Sequence, residues 1–182
     1  MKFKSIVLFL FMGLTLVNCK NEGNPSGTES QETQAEAPKN VFTVTLDVVV
    51  KKDDDFCVLY TEDGTLDFKE GVWKVVKGSD TQQTIEFQLP EDVVPTQLRL
   101  EFGINKEQET MIVNGFSMSY LGKTFRASGE NFYLYFTPDI SKTIFDEKKR
   151  TVDAVIKDGV RQFPSFYPNV GPVSEEISKL VK

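Results

Sequence analysis

Three groups of side chains in this sequence have the type and spacing to do chemistry. Asp53, Asp54 and Asp55 set three carboxylates in a row. Calcium takes about six to eight oxygens, mixing carboxylates with backbone carbonyls, so such a run is one place to look for a structural ion. The run lacks the spacing of an EF-hand, and no Gly supplies its sharp turn. A solvated turn ahead of a strand is the favoured expectation, with the three residues kept as weak metal candidates. Trp73 is the only tryptophan. A flat indole can stack on the C–H face of a sugar ring while neighbouring polar groups bond its hydroxyls. In Val72-Trp73-Lys74-Val75-Val76, alternation gives Trp73 the same face as Val75, which favours a core position over a ligand platform. In Phe132-Tyr133-Leu134-Tyr135-Phe136 the two Phe and Leu134 share one face of an expected strand. Tyr133 and Tyr135 share the other, and that pair is the better candidate for an aromatic contact surface.

Other chemistry is missing. The chain has no histidine, which removes Ser-His-Asp and Cys-His catalysis, His general bases and His metal ligands. Cys57 lies in the apolar run Phe56-Cys57-Val58-Leu59, where a buried inert thiol is expected. Glycosidase chemistry needs two carboxylates about 5 to 10 Å apart. No local motif selects such a pair from the 27 Asp and Glu residues. Arg99 and Glu101, side by side on a polar strand face, are expected to form an ordinary cross-strand salt bridge. No catalytic residue is assigned, and the expectation is a non-enzyme. The formal charge of −6 repels phosphates and disfavours a nucleic acid partner.

The N-terminus has three zones. Lys2 and Lys4 are basic, Ser5 to Val17 is apolar, and polarity begins again at Lys20-Asn21-Glu22. A basic head and a short apolar stretch before a processing site make an export signal. The stretch is too short for a membrane span of about 20 apolar residues. The quartet Leu16-Val17-Asn18-Cys19 resembles the lipobox of bacterial lipoproteins, with Asn18 where Gly or Ala is commoner. The resemblance implies cleavage before Cys19, diacylation of its thiol and acylation of the new amino group. Cleavage there would remove Lys2 and Lys4 and no acid, moving the formal charge from −6 to about −8. Several chains suit the task, because one acyl chain at about 0.8 kcal/mol per methylene anchors only marginally.

These observations divide the chain into a signal peptide (1–18), a stalk (19–40) and a folded domain (41–182). The stalk has no aromatic and no large aliphatic residue, so it cannot bury enough surface to order itself. At that length a flexible chain spans roughly 25 Å. From Val41 onward short apolar runs alternate with polar residues. Phe42, Val44, Leu46 and Val48 oppose Thr43, Thr45 and Asp47. Ile85, Phe87 and Leu89 alternate with Glu86 and Gln88, and stop at Pro90. Leu98, Leu100 and Phe102 alternate with Arg99 and Glu101. Strands are also expected at 56–60, 72–76, 111–120, 124–126, 132–136 and 151–156, separated by turns such as Glu62-Asp63-Gly64 and Lys157-Asp158-Gly159. Close-set strands without long helical patterns between them predict an all-β antiparallel sandwich. Residues 163–172 are expected to form a non-helical strap over it. A short C-terminal helix is expected to begin at a capping Ser174 ahead of Glu175 and Glu176.

Read in order, Asp54-Asp55-Phe56-Cys57-Val58-Leu59-Tyr60, Phe68-Lys69-Glu70, Ile85-Glu86-Phe87-Gln88-Leu89-Pro90 and Leu98-Arg99-Leu100-Glu101-Phe102-Gly103 resemble a known pattern. It is that of small jelly-roll modules, similar to carbohydrate-binding ones, carried by bacterial glycan-handling membrane proteins. The layout is also similar to galactose-binding-like sandwiches. The resemblance covers about Asp47 to Tyr120, and Glu101-Phe102-Gly103 stands where those modules have Asp-Pro-Gly. It implies a jelly-roll fold and a link to glycans, with a structural calcium in some members. It transfers no binding site and no cofactor.

The function expected from the sequence is a lipid-anchored binding module in the outer membrane, with a glycan or an envelope protein as partner. A structural or assembly subunit of an envelope complex is the alternative, and a carboxylate-dependent glycan hydrolase the second.

Overall fold

The computed structural model describes residues 40–182. Cys19, the leader and all of the stalk before Asn40 lie outside the described residues. The domain is built from antiparallel sheets and one short C-terminal helix. Among the described residues no helix is long and apolar enough to cross a membrane.

The first six strands are β1 (Thr43–Val50), β2 (Asp54–Thr61), β3 (Glu70–Val76), β4 (Ser79–Gln88), β5 (Gln97–Glu101) and β6 (Met111–Tyr120). They are followed by β7 (Lys123–Ser128), a 3-10 turn (Gly129–Leu134), β8 (Phe136–Pro138), β9 (Thr143–Asp146) and β10 (Thr151–Ala154). A small hairpin of β11 (Ile156–Lys157) and β12 (Val160–Arg161), then β13 (Ser165–Pro168) and α1 (Val170–Val181), complete the chain. Sheet A has the order β4-β1-β6-β10-β9, with β7 also paired to β6; sheet B has the order β3-β2-β5-β13-β8. The pairing is nested: β1 with β4 encloses β2 with β3, after which β5 returns beside β2 and β6 beside β1.

The alternation read from sequence explains which side of each strand is buried. On β1, Val44, Leu46, Val48 and Val50 face inward and are buried. On β2, Phe56, Val58 and Tyr60 do the same from the other sheet, and both sets belong to one hydrophobic cluster. Strand β6 changes parity along its length. Met111 and Val113 are buried at one end, and Phe116, Met118 and Tyr120 at the other. The register against β1 jumps from Asp47↔Gly115 to Val48↔Val113, so Asn114 is the extra residue of a bulge. Without that bulge one half of the strand would turn its apolar set to solvent. The centre of the core is aromatic: Phe102 and Phe166 lie 5.3 Å apart, Phe132 and Phe166 5.2 Å, and Phe116 and Phe136 4.9 Å, centroid to centroid.

Three local expectations are overturned. Residues 129–134 form a 3-10 turn, not part of a strand from Phe132 to Phe136. The expected strap contains β13, which slots between β5 and β8. Its alternation of Phe166 inward with Ser165 and Tyr167 outward is hidden by Pro164 before the strand and Pro168 at its end. The helix begins at Val170 with Asn169 as its N-cap. Pro172 then falls in the first turn, where its missing N–H costs nothing. Ser174 is therefore inside the helix, its hydroxyl donating to Val170 O at 2.6 Å. Val173, Ile177 and Leu180 are buried in the cluster.

Candidate functional site

The strands of sheet B have two faces. Phe56, Val58, Leu98, Leu100 and Phe166 point into the core. Their neighbours in sequence must point the other way, because successive residues of a strand alternate. Register then assembles two rows across the outer face. One row is Trp73, Cys57, Glu101 and Ser165, each directly across a ladder from the next. Asp139 extends it, donating its N–H to Ser165 O at 2.9 Å. The adjacent row is Gly71, Leu59, Arg99, Tyr167 and Thr137.

Trp73 is 57 % exposed. The expectation that it would be buried fails for a topological reason. It does share a face with Val75, but β3 is an edge strand and that face is the outer one. Beside it, Cys57 is 1 % exposed. Burial, and secondarily the charge of Glu101, push its thiol up to about 12. The thiol is buried as expected, yet it sits under the outer surface and not in the core cluster. Gly71 keeps the surface low next to Trp73. A Cβ there would fall 2.6 Å from Leu59 Cδ2 and 2.9 Å from Cys57 Sγ.

The middle of the face is polar and half-buried. Arg99 Nε lies 2.7 Å from Glu101 Oε1, so the expected ion pair forms, along one strand instead of across two. The Arg99 guanidinium also rests over the Tyr167 ring, 4.4 Å from its centroid. Burial holds the Glu101 carboxyl above the usual range, opposed by Arg99 and Lys142. The Asp139 carboxyl is held below its usual range, first by the Ser141 hydroxyl. Lys142 Nζ is 4.0 Å from Asp139 Oδ2.

Three buried side-chain atoms have no hydrogen-bond partner among the described residues: Gln97 Oε1, Arg99 Nε and Ser165 Oγ. Arg99 Nε is within ion-pair distance of Glu101 but not aligned to donate to it. All three residues belong to the neighbouring strands β5 and β13 and are out of phase with the core positions Leu98, Leu100 and Phe166. Unpaired buried polar atoms are costly. Gln97 and Ser165 are 2 % and 0 % exposed, and Gln97 Nε2 donates to Ser174 Oγ of α1 at 2.6 Å, so these atoms lie beneath the face and not on it.

The other candidates are placed differently. Tyr133 and Tyr135 do not form an exposed pair. In a 3-10 turn, residues three apart eclipse, so Tyr135 follows Phe132 toward the core and packs 5.0 Å from the Phe125 ring. Tyr133 alone stays open, at 41 %. Two of the three aspartates are occupied by hydrogen bonds. Asp54 is buried, and its carboxylate accepts from the backbone N–H groups of Asp55 (2.9 Å), Ile104 (2.7 Å) and Asn105 (2.8 Å) and from Gln108 Nε2 (3.0 Å). Asp53 accepts from Gly78 N–H at 2.8 Å and Lys77 Nζ at 2.7 Å, and these hold its carboxyl below the usual range. Asp53 and Asp55 line a shallow open depression with Val75, Ile104 and Asn105. Among the described residues no group of three His, Cys, Asp or Glu side chains is arranged to hold a metal ion.

Sequence reasoning did not bring Ser165, Tyr167, Asp139 and Lys142 to this face. Strand period placed Arg99 and Glu101 together, but nothing local says that β13 comes to lie beside them. No protein-family profile, curated protein or solved structure matches this chain.

Proposed function

We propose that this chain is an envelope lipoprotein, anchored in the outer membrane through acylated Cys19, whose β-sandwich is a non-catalytic module that binds glycan. The anchor is supported by the basic head, the apolar stretch and the Leu16-Val17-Asn18-Cys19 quartet. A jelly-roll class is supported by the nested order of β1 to β6, since a jelly roll is two Greek keys folded over each other. The observation that carries the binding role is the outer face of sheet B, where exposed Trp73 on the edge strand shares one surface with half-buried Arg99, Glu101 and Tyr167.

The test is a glycan array probed with the full chain, followed by calorimetry on the best ligand. Binding that weakens at least tenfold in Trp73→Ala supports the role. Failure to retain any glycan, together with co-purification of envelope proteins, would replace it with an assembly subunit. That second role draws on the apolar residues Ile140, Ile144, Ile156 and Val160, all exposed on β9, the loop before it and the β11–β12 hairpin.

A further inference from the structure

Whatever lies on the outer face of sheet B must match its length and its charge. Trp73 on β3 and Tyr167 on β13 are three strand spacings apart, about 14 Å at ~4.8 Å per spacing. The repeat of an extended pyranose chain is close to one such spacing, so a chain crossing the strands meets about one sugar per strand. Between the two aromatic residues lie Leu59 and Cys57 of β2 and the Arg99–Glu101 pair of β5.

Charge narrows the ligand further. The two cations of the face are already matched, Arg99 by Glu101 and Lys142 by Asp139. A carboxylated sugar would meet two carboxylates and no spare cation. Desolvating it there would go uncompensated. Hydroxyls meet no such penalty, because each can donate and accept and so can pair with the partly open Arg99 and Glu101 side chains without disturbing their ion pair.

We infer that the ligand of this face is an uncharged, extended oligosaccharide of about four sugar units, laid across the strands, stacked on Trp73 and reaching Tyr167. The inference rests on the glycan-binding role proposed above and adds the ligand's length, direction and charge.

The experiment uses the full chain, with gluco- and manno-oligosaccharides of two to six units and oligogalacturonates of the same lengths as probes. Quenching of the single tryptophan and calorimetry are the readouts. Affinity for at least one neutral series should rise about tenfold or more from two units to four and then level off. The oligogalacturonates should bind at least tenfold more weakly at every length. Tyr167→Ala should cut the gain between two and four units while leaving disaccharide binding within about twofold. Trp73→Ala should weaken all lengths, and Trp73→Phe, read by calorimetry, should restore part of the loss. Oligogalacturonates binding as tightly as the neutral chains, or a gain that stops at two units, would overturn this inference and leave the glycan-binding role standing. No binding of any oligosaccharide would overturn both.

Discussion

Trp73 and Cys57 face each other across the β2–β3 ladder, one 57 % exposed and the other 1 %. The indole sits at the rim of sheet B and the thiol is sealed next to it. Cys57 should therefore resist alkylation by iodoacetamide at pH 8 in the native chain and react fully in urea, as read by peptide mass spectrometry. The sign of its pH linkage follows from the raised thiol. The unfolded chain ionises near the ordinary value of 9.0 and the folded one near 12. The contribution of Cys57 to stability is whole below pH 9 and is lost as pH climbs toward 12, a loss that Cys57→Ala should remove from the alkaline unfolding curve.

Trp73→Ala should cost less than about 1 kcal/mol of stability, because an exposed edge residue surrenders little buried area. The same change should weaken ligand binding at least tenfold in calorimetry, which does not depend on the only tryptophan as fluorophore. A urea midpoint that falls as far as for a core substitution would mean the indole is structural. For contrast, Phe166→Ala should cost about 3–5 kcal/mol, since its ring packs against Phe102, Phe132 and Phe145.

Asp54 ties the β1–β2 turn to the loop after β5 by accepting three backbone N–H groups and one amide. Asp54→Ala would strand those donors, and a loss of about 3 kcal/mol is expected in chemical denaturation. Gly103 allows the close approach. Its φ is +80°, and a Cβ there would lie 2.1 Å from Asp54 Oδ2. Gly103→Ala should destabilise as well, and the double variant should lose less than the two single losses combined.

Arg99 is the first of the charges that oppose the burial of Glu101. Arg99→Met should move the Glu101 carboxyl titration further upward, measured by carbon NMR of the side chain. It should also lower stability at pH 7 by about 2 kcal/mol, because a half-buried carboxylate is left without its partner. The sign is fixed by linkage: a carboxyl raised above its unfolded value favours the folded state below that value and loses the advantage as pH rises.

Cys19→Ala should block processing. The expected product retains Met1 and carries no acyl chain, as mass spectrometry of the protein from membranes and from the soluble fraction would show.

Much of sheet A and the inner half of sheet B was legible in sequence, because β1, β2, β4 and β5 carry a period of two that no turn residue interrupts. The errors share a cause. Phe132 to Phe136 alternates like a strand, but a following 3-10 turn uses the same residues at a period of three. Trp73 was assigned the right neighbour, Val75, and the wrong environment, because alternation says which residues share a face and not which face is covered. Residues 163–172 carry three prolines, at 164, 168 and 172, and a four-residue strand too short to show a period. The candidate site was legible only in pieces, since it depends on β13 lying beside β5, a pairing between Glu101 and Ser165.

That late pairing sets an order of assembly. A ribosome delivers β5 more than sixty residues before the segment that caps its free side. Until Ser165–Pro168 emerges, sheet B has an open seam along Arg99 and Glu101, with a row of unpaired amides available to any neighbouring chain. High contact order of this kind slows closure and lengthens the aggregation-prone interval. A nascent domain stalled before its last twenty residues should therefore depend on holdase chaperones, and a premature stop codon near Phe163 should yield inclusion bodies instead of a shortened but soluble product.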